Sequence, residues 1–113
     1  MKSSNSGPIR LQNAVTANGN GTPILMDSFG HVIVQVSGTF SAQVHFEITV
    51  DNGTWYEIAA TDLTSTSANT KVKTINSPGI FACDLVGGAT YFRARVSNYA
   101  SGSVTVVANA HGG

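Results

Sequence analysis

Between Val44 and Val50 apolar residues alternate strictly with His45, Glu47 and Thr49. That period-two pattern is the signature of a strand with one buried face. Asp51-Asn52-Gly53 follows with residues that tolerate positive φ, and Trp55-Tyr56-Glu57-Ile58 is again rich in strand formers, so the stretch predicts a hairpin. Two registers are open. A two-residue turn at Asn52-Gly53 sets Val50 opposite Trp55 and Ile48 opposite Glu57. A three-residue loop, with Gly53 left-handed in a bulge, sets Ile48 opposite Tyr56, Phe46 opposite Ile58 and Glu47 opposite Glu57. The second register keeps more apolar surface on one side and is preferred. It would carry Trp55 towards the outer face.

The same alternation recurs along the chain. Val32, Val34 and Val36 face one way and His31, Ile33 and Gln35 the other; Phe92, Ala94 and Val96 point inward, with Tyr91, Arg93 and Arg95 outward. Shorter strands are expected over residues 11–15, 23–27, 71–75, 80–85 and 103–109. Pro23 suits a first or edge position, and Lys71 and Lys73 share one face, a common protection for a sheet edge. Turn chemistry separates the runs at residues 18–21, 37–41, 76–79 and 98–102, and at Gly87-Gly88. Residues 59–70, dense in Thr, Ser, Ala and Asn, are long for a hairpin connection, and 61–69 is a candidate contact loop.

No segment of useful length carries a helical period. About eight strands at spacings of about 8–12 residues predict an all-β fold, a single antiparallel β-sandwich that is either immunoglobulin-like or small-jelly-roll-like. The 113 residues make one domain. Its expected divisions are an N-terminal arm over 1–9, the sandwich over 10–110 and a C-terminal tail over 111–113.

Charge narrows the functions. Charged residues are 11% of the chain, six basic against six acidic, for a formal net charge of zero. That is too few cations for a nucleic-acid partner, and such weak self-repulsion suits a surface that lies against other protein. Cys83 is the single cysteine, so no intrachain disulfide can form; it shares a strand face with Phe81 and Leu85 and is expected to be a buried, inert thiol. No apolar run approaches the ~18 residues of a membrane-spanning helix. Met1-Lys2-Ser3-Ser4-Asn5 does not lead into the apolar core of a signal peptide, so the expectation is synthesis in the cytoplasm with no membrane partner.

Candidate chemistry is sparse. The acidic residues are Asp27, Glu47, Asp51, Glu57, Asp62 and Asp84, of which Glu47 and Glu57 could meet across the hairpin as an acid and base pair. An exposed strand face carries such charges routinely, and that reading is preferred. His31, His45 and His111 lack metal-site spacing with one another or with Cys83, and the glycine-rich segments join strands rather than a strand to a helix. No catalytic residue, metal site or cofactor is expected. Arg93 and Arg95 project from one face beside Tyr91, either as a solvated face or as a patch that grips an acidic partner. Trp55 is either a core anchor or an outward contact. The candidate partner-binding residues are Tyr91, Arg93, Arg95 and Trp55, with Thr61 and Asp62 from the long loop.

Three segments together resemble a known group. Val34-Gln35-Val36-Ser37-Gly38-Thr39-Phe40-Ser41, the hairpin Val44-His45-Phe46-Glu47 through Val50-Asp51-Asn52-Gly53-Thr54-Trp55-Tyr56, and Phe92-Arg93-Ala94-Arg95-Val96-Ser97-Asn98-Tyr99-Ala100-Ser101-Gly102-Ser103-Val104-Thr105-Val106 are similar to small β-sandwich proteins of tailed bacteriophages. The likeness covers about residues 18–108. It implies a non-enzymatic virion structural protein, foremost a capsid decoration or cement subunit that binds the major capsid protein or other virion proteins as a homo-oligomer. The N-terminal arm would be its anchor. Asp51-Asn52-Gly53-Thr54-Trp55 is also similar to the turn-plus-tryptophan segment of discoidin-like carbohydrate-binding domains. That resemblance implies a glycan- or receptor-binding module of a phage tail or fibre, with Trp55 stacking on a sugar ring.

Overall fold

A computed structural model describes residues 5–26, 29–64, 70–84 and 90–112. The expected anchor residues Met1 to Ser4, Asp27, the loop residues 65–69, Leu85 and Gly87-Gly88 lie outside the described residues. Ten strands follow one another: β1 (Asn5–Val15), β2 (Ile24–Leu25), β3 (His31–Ser37), β4 (Phe40–Thr49), β5 (Tyr56–Ile58), β6 (Ala60–Asp62), β7 (Thr70–Val72), β8 (Gly79–Asp84), β9 (Tyr91–Gly102) and β10 (Val104–His111). They form two antiparallel sheets, ordered β1-β10-β3-β8-β6-β7 and β2-β9-β4-β5. The molecule is an all-β sandwich.

Alternation builds the core. From the larger sheet, Val32, Val34, Val36, Phe81, Cys83, Val104, Val106, Ala108 and Ala110 are buried; from the smaller, Val44, Phe46, Phe92, Ala94 and Val96. Phe46 packs edge-on against Phe81 across the layers, with ring centroids 6.0 Å apart, and lies 5.7 Å from Phe92 within its own sheet. Each valine or phenylalanine removed from water contributes roughly 1.5–3 kcal/mol, which locks the inward set in place. Gln12 is one of the buried polar residues. Its amide donates to Ala94 O at 2.7 Å and Gly19 O at 3.1 Å, tying β1 and the following loop to β9.

The hairpin takes the register with Phe46 opposite Ile58, Glu47 opposite Glu57 and Ile48 opposite Tyr56. Its turn differs in detail, because Asn52 and not Gly53 carries the positive φ of 61°. Side chains shape the turn. The Asp51 carboxylate accepts from Gly53 N at 2.8 Å and Thr54 N at 2.9 Å, while the Thr49 hydroxyl donates to Thr54 O and accepts from Asn52 N. Those backbone donations hold the Asp51 carboxyl below its ordinary pKa, Thr54 first and Gly53 next.

Other expectations are corrected. Among the described residues the strand count is ten, because short pieces pair where loop was expected. Residues 98–102 continue β9 past a bulge at Asn98, φ 50°, and pair Ser101 and Gly102 with Ser41 and Phe40. Residues 60–62 of the expected loop are β6, anchored by the fully buried Ala60. Strand pairing in β1 reaches back to Asn5, opposite His111. β7 is indeed an edge, and Lys71 there donates to the Thr61 hydroxyl at 2.9 Å.

Candidate functional site

The outer face of the smaller sheet gathers most of the polar chemistry. β4 contributes His45, Glu47 and Thr49; β9 contributes Tyr91, Arg93 and Arg95; Trp55 and Glu57 come from the hairpin's returning limb. Cross-strand register sets Glu47 beside Arg93 and His45 beside Arg95. Strict alternation puts all of these on one side.

Glu47 is the centre. It is 6% exposed, although an exposed strand face was expected at this position. The cover comes from the arginines: Arg93 Nε donates to one carboxylate oxygen at 2.8 Å and Arg95 Nε to the other at 2.9 Å. Arg93 also lies against Trp55, its guanidinium carbon 4.0 Å from the ring centroid, a cation–π contact across β4. Burial pushes the Glu47 carboxyl up, but the hydrogen bonds and charges of Arg95 and Arg93 together outweigh it and hold the group below the usual carboxylate range. A carboxylate so held stays ionised, and with both oxygens engaged it is not available as a proton acceptor.

His45 is 8% exposed. Its Nε2 is 2.7 Å from the Ser97 hydroxyl, and its Nδ1 is 3.5 Å from a Glu57 oxygen without a hydrogen bond between them. Glu57 therefore faces Glu47 in register but leans towards His45. The two glutamates do not form an acid and base pair.

Trp55, Tyr91, Arg93 and Arg95 thus share one face, and Trp55 lies outside the core. Thr61 and Asp62 do not join them. They sit on β6 in the other sheet, where Thr61 meets Lys71 and Asp62 accepts from Thr64 N at 2.8 Å. Sequence reasoning placed the arginines but missed Glu47 as their anchor and His45 as a buried neighbour. The available signal was the like-charge pairing of Glu47 with Glu57, which demands cations from a third strand.

Elsewhere the chemistry is thin. Around the hairpin turn a hollow of about 450 Å³ is lined by Ile48, Val50, Tyr56 and Ile58 with Thr49, Asp51 and Thr54. Its one carboxylate, Asp51, is taken up by the turn amides. His31 contacts the Asp84 carboxylate at 2.5 Å, and His111 stands 6.4 Å from it ring to ring. Among the described residues no group of three or more His, Cys, Asp or Glu is arranged to hold a metal ion. Cys83 is buried, and that burial pushes its thiol up to about 12 despite the opposing charge of Lys71.

Comparison with known proteins adds the family. The family model described as XepA matches residues 5–110. The crystal structure of the SPBc2 prophage-derived protein YomS is similar with a TM-score of 0.84 at 18% identity, covering 98% of this chain and 96% of that one. The crystal structure of the PBSX exported protein XepA is similar with a TM-score of 0.86 at 17% identity, over 98% of this chain and 39% of that one. At such identities these two structures speak for the fold alone, and the chain spans well under half of the XepA protein. No curated protein matches the chain.

Proposed function

The chain belongs to the XepA family, and from that premise we propose that it is a phage-encoded, non-enzymatic structural protein that works by docking onto other proteins. The observation that carries this reading is the family match over residues 5–110. The likeness to the prophage-derived protein YomS and to the PBSX exported protein XepA supports it through the fold. That the similar PBSX protein XepA is an exported protein favours work at the virion or outside the cell.

Its more specific form is a capsid decoration subunit that binds the outer head surface and stabilises the shell. Two features support this. Arg93 and Arg95 with Trp55 offer one contact face, made of the residue types favoured at protein interfaces. Across the sandwich, the outer face of the larger sheet sets Ile33 beside Ala82, and Val107 and Ile80 on either side of Gln35, with Ile33 and Ile80 exposed. That strip suits a second copy of the chain and a homo-oligomer. A second reading, a receptor- or glycan-binding module of a tail or fibre, is favoured by Trp55 lying outside the core, although Arg93 occupies one ring face.

Co-sedimentation of the purified protein with undecorated phage heads, and in parallel with host cell envelopes, tests the two. Stoichiometric, saturable binding to heads is expected. Binding to envelopes alone would overturn the decoration reading in favour of the receptor module.

A further inference from the structure

The arginines on the outer face of the smaller sheet are held but not used up. Each guanidinium has five N–H donors, and each gives only its Nε–H to Glu47. Among the described residues no protein acceptor meets the Nη nitrogens of either side chain. Two positive charges on one carboxylate leave the triad of Arg93, Arg95 and Glu47 with an excess of one, set against the Glu57 carboxylate beyond it beside His45. The side chains are only 15% and 31% exposed for Arg93 and Arg95, so these spare donors sit in a partly dehydrated setting, where an anion is held more strongly than in open water.

The pair is also immobilised beforehand. Glu47 fixes both Nε positions, and the Trp55 ring covers the Arg93 plane at 4.0 Å. A ligand would therefore meet forks already ordered, which removes much of the entropic cost of binding. We propose that Arg93 and Arg95, anchored on the buried Glu47 and flanked by Trp55, form a receptor for a single carboxylate group borne on an acidic segment of the docking partner. This deepens the docking reading given above and rests on it.

The choice of a carboxylate follows from the surroundings. A planar guanidinium edge matches the two oxygens of a carboxylate, and Trp55 supplies an apolar lip for the stem that carries it. A phosphate dianion fits worse, because Glu57 faces Glu47 in the register and stands at the rim beside His45; its charge repels a second negative charge. A polyphosphate chain finds no track either. The remaining basic residues are Lys2, Arg10, Lys71 and Lys73, and the net charge is zero. Of these, Lys71 belongs to the other sheet, as does Arg10 on β1.

Trp55 is the sole tryptophan and touches the site, so its fluorescence reports on it. The isolated protein is titrated at low ionic strength with an acetylated triglutamate peptide, with its triglutamine counterpart and with inorganic phosphate. Arginine Nε–H resonances are followed in parallel by NMR. A saturable response to triglutamate is expected, with half-saturation at least about tenfold lower than for the other two probes. It should weaken as salt rises from about 20 to about 200 mM. Arg95→Ala should weaken binding at least about tenfold, and Arg95→Lys, which keeps the charge but not the fork, should restore only part. Thermal melting of both variants establishes that they are folded.

Silence of both readouts would overturn the proposal, as would a tighter fit for phosphate or undiminished binding by folded Arg95→Ala. Because no phage particle enters this titration, its failure is separable from failure of the docking reading. Wild-type binding to heads with a silent titration sinks the carboxylate receptor alone. A positive titration without head binding sinks the decoration reading alone.

Discussion

Replacing Glu47 with glutamine isolates the charge at the centre of the outer face while keeping its size. Removing one member of a buried charge pair costs about 3–5 kcal/mol, because the remaining charge is left dehydrated and unmatched. Two features reduce that figure here. Arg93 and Arg95 retain 15% and 31% exposure of their side chains, so water partly solvates them, and glutamine keeps one oxygen to accept one of the two Nε–H donations. A loss of about 2–3 kcal/mol is the result. With 113 residues and an unfolding entropy of about 2.1 cal/mol/K per residue, Glu47→Gln should melt about 8–13 °C lower than the parent at pH 7. The gap must also depend on pH. The folded Glu47 carboxyl lies below its ordinary value, so its contribution is complete above the unfolded carboxylate pKa of about 4.3 and is lost as pH falls through the folded value. Differential scanning calorimetry of both proteins from pH 7 down to about pH 3 should show the gap narrowing below about pH 4. Equal melting at pH 7, or a gap that stays constant on acidification, would refute the ion-pair argument.

Three other substitutions or treatments probe separate links. Thr49→Val removes a hydroxyl on a buried residue that donates to Thr54 O at 2.7 Å and accepts from Asn52 N at 3.0 Å; urea unfolding should show a loss of about 1–3 kcal/mol, and an unchanged midpoint would mean that the turn does not depend on it. Gly102 ends β9 at φ 86°, and an added Cβ would collide with the Thr39 carbonyl. Gly102→Ala should therefore cost at least about 1–3 kcal/mol by thermal melting, and a neutral outcome would disprove the close approach. With its thiol pushed up to about 12, Cys83 should resist a disulfide-exchange reagent at pH 8 in the native protein and react fully in denaturant; rapid native labelling would contradict its burial.

Alternation along the chain made the sandwich legible because an inward face must be dry, and dryness leaves a period-two trace in Val32, Val34, Val36 and in Phe92, Ala94, Val96. The hairpin register was readable for the same reason, since only one alignment sets Phe46 against Ile58 and Ile48 against Tyr56. Strands without that trace were hidden. Asn5 to Pro8 lies on the sheet edge and is held through backbone pairing to β10, which any polar sequence can make. Asn98 looked like a turn residue because its tolerance of positive φ serves a bulge as well as a turn. The ionic face was half visible. Arg93 and Arg95 at a spacing of two must share a face, and Glu47 opposite Glu57 is a like-charge pair that a hairpin alone would not favour. Local pattern cannot say which distant strand resolves that conflict, because the pairing of β4 with β9 joins residues more than forty positions apart. Once that pairing is known, the conflict becomes information. A strand that tolerates facing acids on one side must receive cations from the other, and two arginines that share a single carboxylate through their Nε–H groups leave their outer N–H donors for whatever binds there.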